Sequence, residues 1–172
     1  MHGDREAFGT LASRSLARLV GTAGLILRSH DAAEDGAQEA LVRAWRDLPT
    51  LRDPDRFDAW LHRVLVRSCH DQRRQEARRS GVTARMALPV EAVPDHTSAF
   101  VDGEAIRAGL DQLTHDQRTI LVLRYYLQLT QPEIAEAAGI PLGTVKSRLN
   151  RALIALQAAM AAQSRGAPPA EP

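Results

Sequence analysis

The stretch Thr130–Leu153, TQPEIAEAAGIPLGTVKSRLNRAL, constrains this chain more than any other. It holds two helix-period segments separated by residues that cannot continue a helix. Thr130-Gln131-Pro132-Glu133 fits a capping box, with Pro132 in the first turn, where its missing N–H costs little. Ile134, Ala135 and Ala138 form the inner face of a short helix. Gly139 suits a left-handed C-terminal cap, and Pro141 prevents direct continuation. A second helix is expected over about Gly143–Met160, with Val145, Leu149, Ala152, Leu153 and Leu156 facing in. Its outer face, Thr144, Lys146, Ser147, Arg148 and Arg151, is cationic and carries no acid. In such a helix-turn-helix the second helix can enter a major groove. There arginine reads guanine with two hydrogen bonds, and serine or threonine contacts bases or phosphates. A plain helix pair joined by a glycine turn is the simpler reading, and the acid-free cationic face favours DNA binding over it.

The remaining periodicity is also helical. Ile106, Leu110 and Leu113 mark a short helix, and Thr114-His115-Asp116-Gln117 fits another capping box, with Ile120–Leu127 continuing that helix. In the first half, apolar positions at Ala37, Leu41, Ala44, Trp45 and Leu48 predict a helix over Glu34–Leu48, broken by Pro49, Asp53 and Pro54. A longer helix is expected from Asp55 to Ala77, buried along Phe57, Trp60, Leu61, Val64, Leu65 and Ser68. Glu6–Leu27 supports one or two more helices, with Gly21 and Gly24 as possible breaks. Between Ser80 and Thr97 the period fades among Gly81, Pro89 and Pro94, a linker composition. No strand alternation stands out. The expected fold is all-α: two small helical domains joined by a linker, the second a four-helix domain containing the helix-turn-helix. The boundaries are residues 1–79, a linker at 80–101, residues 102–162, and a disordered Pro/Ala-rich tail at 163–172.

Composition narrows the function classes. About a quarter of the 172 residues are charged and 44% are apolar, as in soluble globular proteins. No apolar run approaches the ~20 residues of a membrane span, and Met1–Glu6 lacks the features of a signal peptide, so the expected location is the cytoplasm. Cys69 is the only cysteine, which excludes an internal disulfide and a cysteine metal cluster. The six histidines show no ligand spacing. No phosphate-cradling glycine loop and no nucleophile–base pair is visible, so neither catalysis nor a cofactor is expected. The net charge of +1 hides segregation. Nine arginines face five acids between Arg52 and Arg85, whereas Glu91–Asp116 holds six acids and one arginine. Basic blocks of this kind are candidate polyanion footprints.

Within the first block, Arg63, Arg67, His70, Arg74 and Arg78 recur at helical spacing opposite the apolar stripe, as suits phosphate contact. Asp31, Glu34, Asp35, Gln38 and Glu39 cluster at a helix start, where the helix dipole alone accounts for acids. Trp45, Trp60 and Cys69 read as core residues, and Tyr125 and Tyr126 as packing at a domain edge.

These segments resemble the extracytoplasmic-function (ECF) branch of sigma-70-type RNA polymerase sigma factors. Asp31–Arg46, DAAEDGAQEALVRAWR, is similar to region 2.2, and Phe57–Arg74, FDAWLHRVLVRSCHDQRR, to the end of region 2.3 and region 2.4. Leu110–Leu129, LDQLTHDQRTILVLRYYLQL, resembles region 4.1, and Thr130–Leu153 resembles region 4.2. The likeness covers about residues 5–160 in the family's order. It departs at Gly36-Ala37, where family members carry two bulkier apolar residues, which puts the local packing in question.

The resemblance implies roles. Asp35, Gln38 and Glu39, with Arg43 and Arg46 nearby, match the surface that binds the polymerase clamp helices, and the flap of core polymerase is a second expected contact. The loop Leu48–Phe57, with Arg52, Asp53 and Arg56, matches the one that captures a flipped base of the −10 non-template strand. Arg63, Arg67, His70 and Arg74 match the −10 helix, and Thr144, Lys146, Ser147, Arg148 and Arg151 the −35 recognition helix. Core RNA polymerase, promoter DNA and an anti-sigma factor are the implied partners, without membrane insertion. Two rival readings carry less of the chain. A stand-alone helix-turn-helix regulator explains residues 110–160 only, and an enzyme of nucleic-acid metabolism lacks a visible catalytic set.

Overall fold

A computed structural model of the chain describes residues 5–79 and 103–166. Among them are seven α-helices and no strand, and the helices fall into two compact units. The first unit packs α1 (Arg5–Leu27), α2 (His30–Asp47) and α3 (Phe57–Arg79) against one another. Gly21 and Gly24 do not break α1. Small residues there let the helix lie close to its neighbours, and Ala23, Gly24 and Ile26 are buried. The break comes at Arg28, which takes a left-handed φ of 63° and donates its N–H to Gly24 O. Ser29 then caps α2, its hydroxyl accepting from Ala32 N–H at 3.3 Å. The helix therefore starts four residues before the expected Glu34.

The inner face of α2 is built from Ala33, Gly36, Ala37, Ala40 and Ala44. A Cβ on Gly36 would stand 3.0 Å from Gln72 Oε1 and 3.4 Å from Leu27 Cδ1, so the glycine permits the close approach of α1 and α3. The departure at Gly36-Ala37 thus tightens the packing and does not interrupt the helix. A face this shallow leaves no room for an indole. Trp45, expected in the core, is 42% exposed and rests on Phe8 with ring centroids 5.0 Å apart. Trp60, in contrast, is buried with Leu61, Val64, Leu65 and Cys69. The connection from α2 to α3 holds two short 3-10 turns, Leu48–Thr50 and Pro54–Arg56. The second 3-10 turn occupies the expected helix start at Asp55, because Asp53 caps it through Asp55 N–H and α3 proper begins at Phe57.

In the second unit, α4 (Gly103–Asp111) and α5 (His115–Leu121) pack on α7 (Leu142–Gly166), and α6 (Gln131–Ala138) precedes α7. Thr114 and Gln117 form the expected capping box at α5. Where that helix was expected to run on to Leu127, the chain widens into a π-turn over Val122–Tyr126, closed by Leu127 N–H on Val122 O. Gln128 follows at a φ of 55°, and Arg124 Nη1 donates to Leu129 O at 3.0 Å. This wider turn throws Tyr125 and Tyr126 outward, 58% and 41% exposed, instead of packing them. The last helix continues to Gly166, through the first residues of the expected tail, and the rest of the tail and the expected linker lie outside the described residues.

Candidate nucleic-acid interface

The second unit positions its last helix, α7, by backbone geometry. Glu133 Oε2 accepts from both the N–H and the hydroxyl of Thr130, at 2.9 and 2.7 Å, which fixes the start of α6. Gly139 takes a φ of 64°, and Ile140 N–H reaches back to Ala135 O at 3.0 Å, a Schellman closure. Pro141 O then accepts Thr144 N–H at 2.8 Å, starting α7 within a few residues. Val145, Leu149 and Ala152 are buried; Lys146, Ser147, Arg148 and Arg151 are exposed and Thr144 is half-buried. The five expected −35 residues therefore share the accessible side of α7. Ser147 and Arg151 are partly engaged with the helix itself, the hydroxyl on Thr144 O and Arg151 Nε on Ser147 O. Arg148 Nη1 lies 3.9 Å from Asp116 Oδ2, both exposed, a weak pair that parts readily for another anion.

Arg118, not singled out by sequence reasoning, holds this unit together. It is 3% exposed and donates to Leu110 O at 3.0 Å and Leu113 O at 2.8 Å, satisfying carbonyls at the end of α4. Its one sequence signal is an arginine two residues before the apolar run Ile120–Leu123.

In the first unit, Arg67, Arg74 and Arg78 are exposed along α3, and Arg63 and His70 are half-buried on the same stripe. Arg52, Asp53 and Arg56 are exposed in the turn before α3. Asp53 has a structural task as well, since its Oδ1 accepts Asp55 N–H.

Asp35, Gln38, Glu39 and Arg46 share the exposed face of α2. Arg43, expected beside that surface, also clasps α2 to α3, with Nε on Glu39 at 2.8 Å and Nη1 on Asp71 at 2.6 Å. Hydrogen bonds to Asp71 and then Glu39 raise its already high pKa. The α2 face carries two apolar residues that sequence reasoning did not place there, Val42 at 54% and Trp45 at 42% exposure. A carboxylate rim around exposed apolar side chains is the make-up of a protein-docking surface.

The family models for "Sigma-70 region 2" and "Sigma-70, region 4" match residues 11–79 and 103–156. The ECF RNA polymerase sigma factor SigL of Mycobacterium tuberculosis is 37% identical over 128 residues, covering 73% of this chain and 72% of that protein. The chain belongs to the ECF sigma factors. The RNA polymerase sigma-H factor of Pseudomonas aeruginosa is 33% identical over 175 residues, covering 92% of this chain and 88% of that one. Among solved structures, the sigma factor RpoE in complex with the anti-sigma factor NepR from Bartonella quintana is 27% identical. It matches with a TM-score of 0.71, covering 89% of this chain and 96% of that one. As an ECF sigma factor, the chain is an alternative sigma factor acting in transcription initiation. Membership accounts for both units at once, where a stand-alone regulator accounts for the second only. No helix among the described residues is long and apolar enough to cross a membrane.

Proposed function

We propose that the two units divide promoter recognition between them. A region 2 domain, residues 1–79, docks on the clamp helices of core polymerase through Asp35, Gln38, Glu39 and Arg46 of α2. It engages the −10 element through Arg52, Asp53 and Arg56 and the stripe Arg63, Arg67, His70 and Arg74. Residues 80–101 link it to a region 4 domain, residues 102–162, which meets the flap and reads the −35 element through Thr144, Lys146, Ser147, Arg148 and Arg151. Arg43 supports the docking face from behind by locking α2 to α3. The observation that carries this reading is the exposed cationic face of α7, set by the Gly139 turn and free of acids. The protein works in the cytoplasm without catalysing a reaction of its own, and an anti-sigma factor holds it inactive. Two solved relatives, with NepR and with CnrY, support that last point. Run-off transcription with core polymerase on genomic fragments tests the whole reading: discrete transcripts should require both the chain and core, and Arg148→Ala should relax preference at one −35 position.

A further inference from the structure

The cationic side of α7 carries no acid of its own, but α5 brings one to it. The capping box of Thr114 and Gln117 fixes the start of α5, and Asp116 stands in its first turn. Two residues on, Arg118 is anchored to Leu110 O and Leu113 O, so the backbone under Asp116 is held on both sides. Asp116 Oδ2 lies 3.9 Å from Arg148 Nη1, with both side chains exposed. Among the described residues, Asp116 is the acid that comes within ion-pair distance of that face. At this separation the contact is one of charge and not a hydrogen bond, so it leaves the guanidinium N–H groups open to another acceptor.

An arginine on a recognition helix meets two kinds of acceptor, the phosphate oxygens of the backbone and the O6/N7 edge of guanine. The first carries a full negative charge and the second carries none. The pair with Asp116 is weak enough to part, but the carboxylate stays where α5 holds it. A phosphate taken up by Arg148 would therefore sit close to a second anion, inside the ~8 Å over which charges act at physiological salt. A guanine edge meets far less of that repulsion. We infer that Asp116 is a specificity-determining residue of the −35 contact, turning Arg148 away from phosphate and toward guanine. Asp116 touches no base and acts through Arg148, so its role rests on the proposed −35 reading of α7. An acid in the first turn of α5 also suits the helix dipole, a purely structural task that makes no difference to base preference.

The test uses holoenzyme on a promoter library randomised through the −35 element, at several salt concentrations. The chains are wild type, Asp116→Asn, Asp116→Glu, Arg148→Ala and the double variant Asp116→Asn with Arg148→Ala. Asparagine keeps the shape of the side chain and removes its charge. Arg148→Ala should relax a guanine preference at one −35 position. Asp116→Asn should lower preference at that same position about two- to fivefold, the worth of an exposed ion pair, by raising use of the other bases. It should also steepen the salt slope by up to about one unit, as Arg148 takes a phosphate. Asp116→Glu should keep the wild-type preference, and Asp116→Asn should add nothing once Arg148 is alanine. Unchanged preference and salt slope in Asp116→Asn, while Arg148→Ala relaxes its position, overturns the role of Asp116 and leaves the −35 reading standing. An equal loss at every promoter assigns Asp116 to the start of α5 and overturns it too, as does a shift in preference that persists without Arg148. If Asp116→Glu behaves as Asp116→Asn, charge is not the cause and the role falls. If Arg148→Ala is without effect at every −35 position, the −35 reading itself fails and takes the role of Asp116 with it.

Discussion

Arg148 and Lys146 stand two positions apart on α7 and meet different surroundings. Arg148 sits between Thr144 and Arg151 on the exposed side and is drawn only weakly toward Asp116. On the proposed −35 reading, Arg148 reaches base edges, whereas Lys146, at the margin of that face, contacts phosphate. Arg148→Ala should cost about 1–3 kcal/mol and relax preference at one −35 position. Lys146→Ala should weaken all promoters alike and lower the salt slope by about one unit. Promoter-library transcription at several salt concentrations reads both outcomes, and exchanged effects would mean the register is shifted. Two buried groups in the first unit give further expectations. Burial pushes the Cys69 thiol up to about 12, so it should resist thiol reagents at pH 8 until the chain unfolds, as a reagent-release assay with and without denaturant would show. His62 has a folded-state pKa below its unfolded value, so the unfolded chain binds the extra proton. Stability should therefore fall as pH drops through about 6.5, the unfolded value, and level off below the folded one. Thermal melts across that range should be flatter for His62→Gln.

At the scale of elements, α2 separates holding from docking. Its inner face of alanines and Gly36 brings α1 and α3 close, and its outer face presents Asp35, Gln38, Val42, Trp45 and Arg46. Asp35→Arg should abolish holoenzyme assembly with helicity unchanged, measured by core pull-down beside circular dichroism. Glu39→Arg is a poorer probe, because it also breaks the Arg43 clasp. Gly36→Leu should instead destabilise the fold, by about 1–3 kcal/mol or more, since the added atoms meet Gln72 and Leu27. The sequence made these elements readable where punctuation is local: Thr114, Thr130, Gly139 and Pro141 each act within four residues, and the turns form as expected. It was opaque where tertiary spacing decides. The placing of Trp45 depends on how near α1 stands to α2, which an apolar period cannot report. The π-turn at Val122–Tyr126 has no composition signal, and the burial of Arg118 is supported by carbonyls eight and five residues before it. The site residues followed the same rule. Exposure along α7 and α3 was set by helical period, but the partners of Arg43 and the Asp53 cap were set by the fold.

For the whole molecule, charge segregation and single-strand recognition together argue for dependence on core polymerase. The net charge is only +1, so the isolated chain has no large field to hold duplex DNA. The proposed −10 surface would act on bases that duplex stacking conceals, and each stacked step costs about 1.4 kcal/mol to open. A single α7 helix facing one major groove supplies a module-sized interface, too small to offset opening over several steps. On the proposed division of labour, core polymerase changes that balance by binding both the α2 face and the DNA. The free chain should therefore bind duplex promoter weakly and leave the −10 element closed, while chain plus core should give a specific footprint and permanganate-reactive thymines at −10. Adding single-stranded −10 oligonucleotide should compete with the open complex but not with whatever weak duplex binding the free chain shows. If the free chain alone protects a specific duplex site as tightly as the holoenzyme does, recognition is complete without polymerase and the proposed division of labour between the units is wrong.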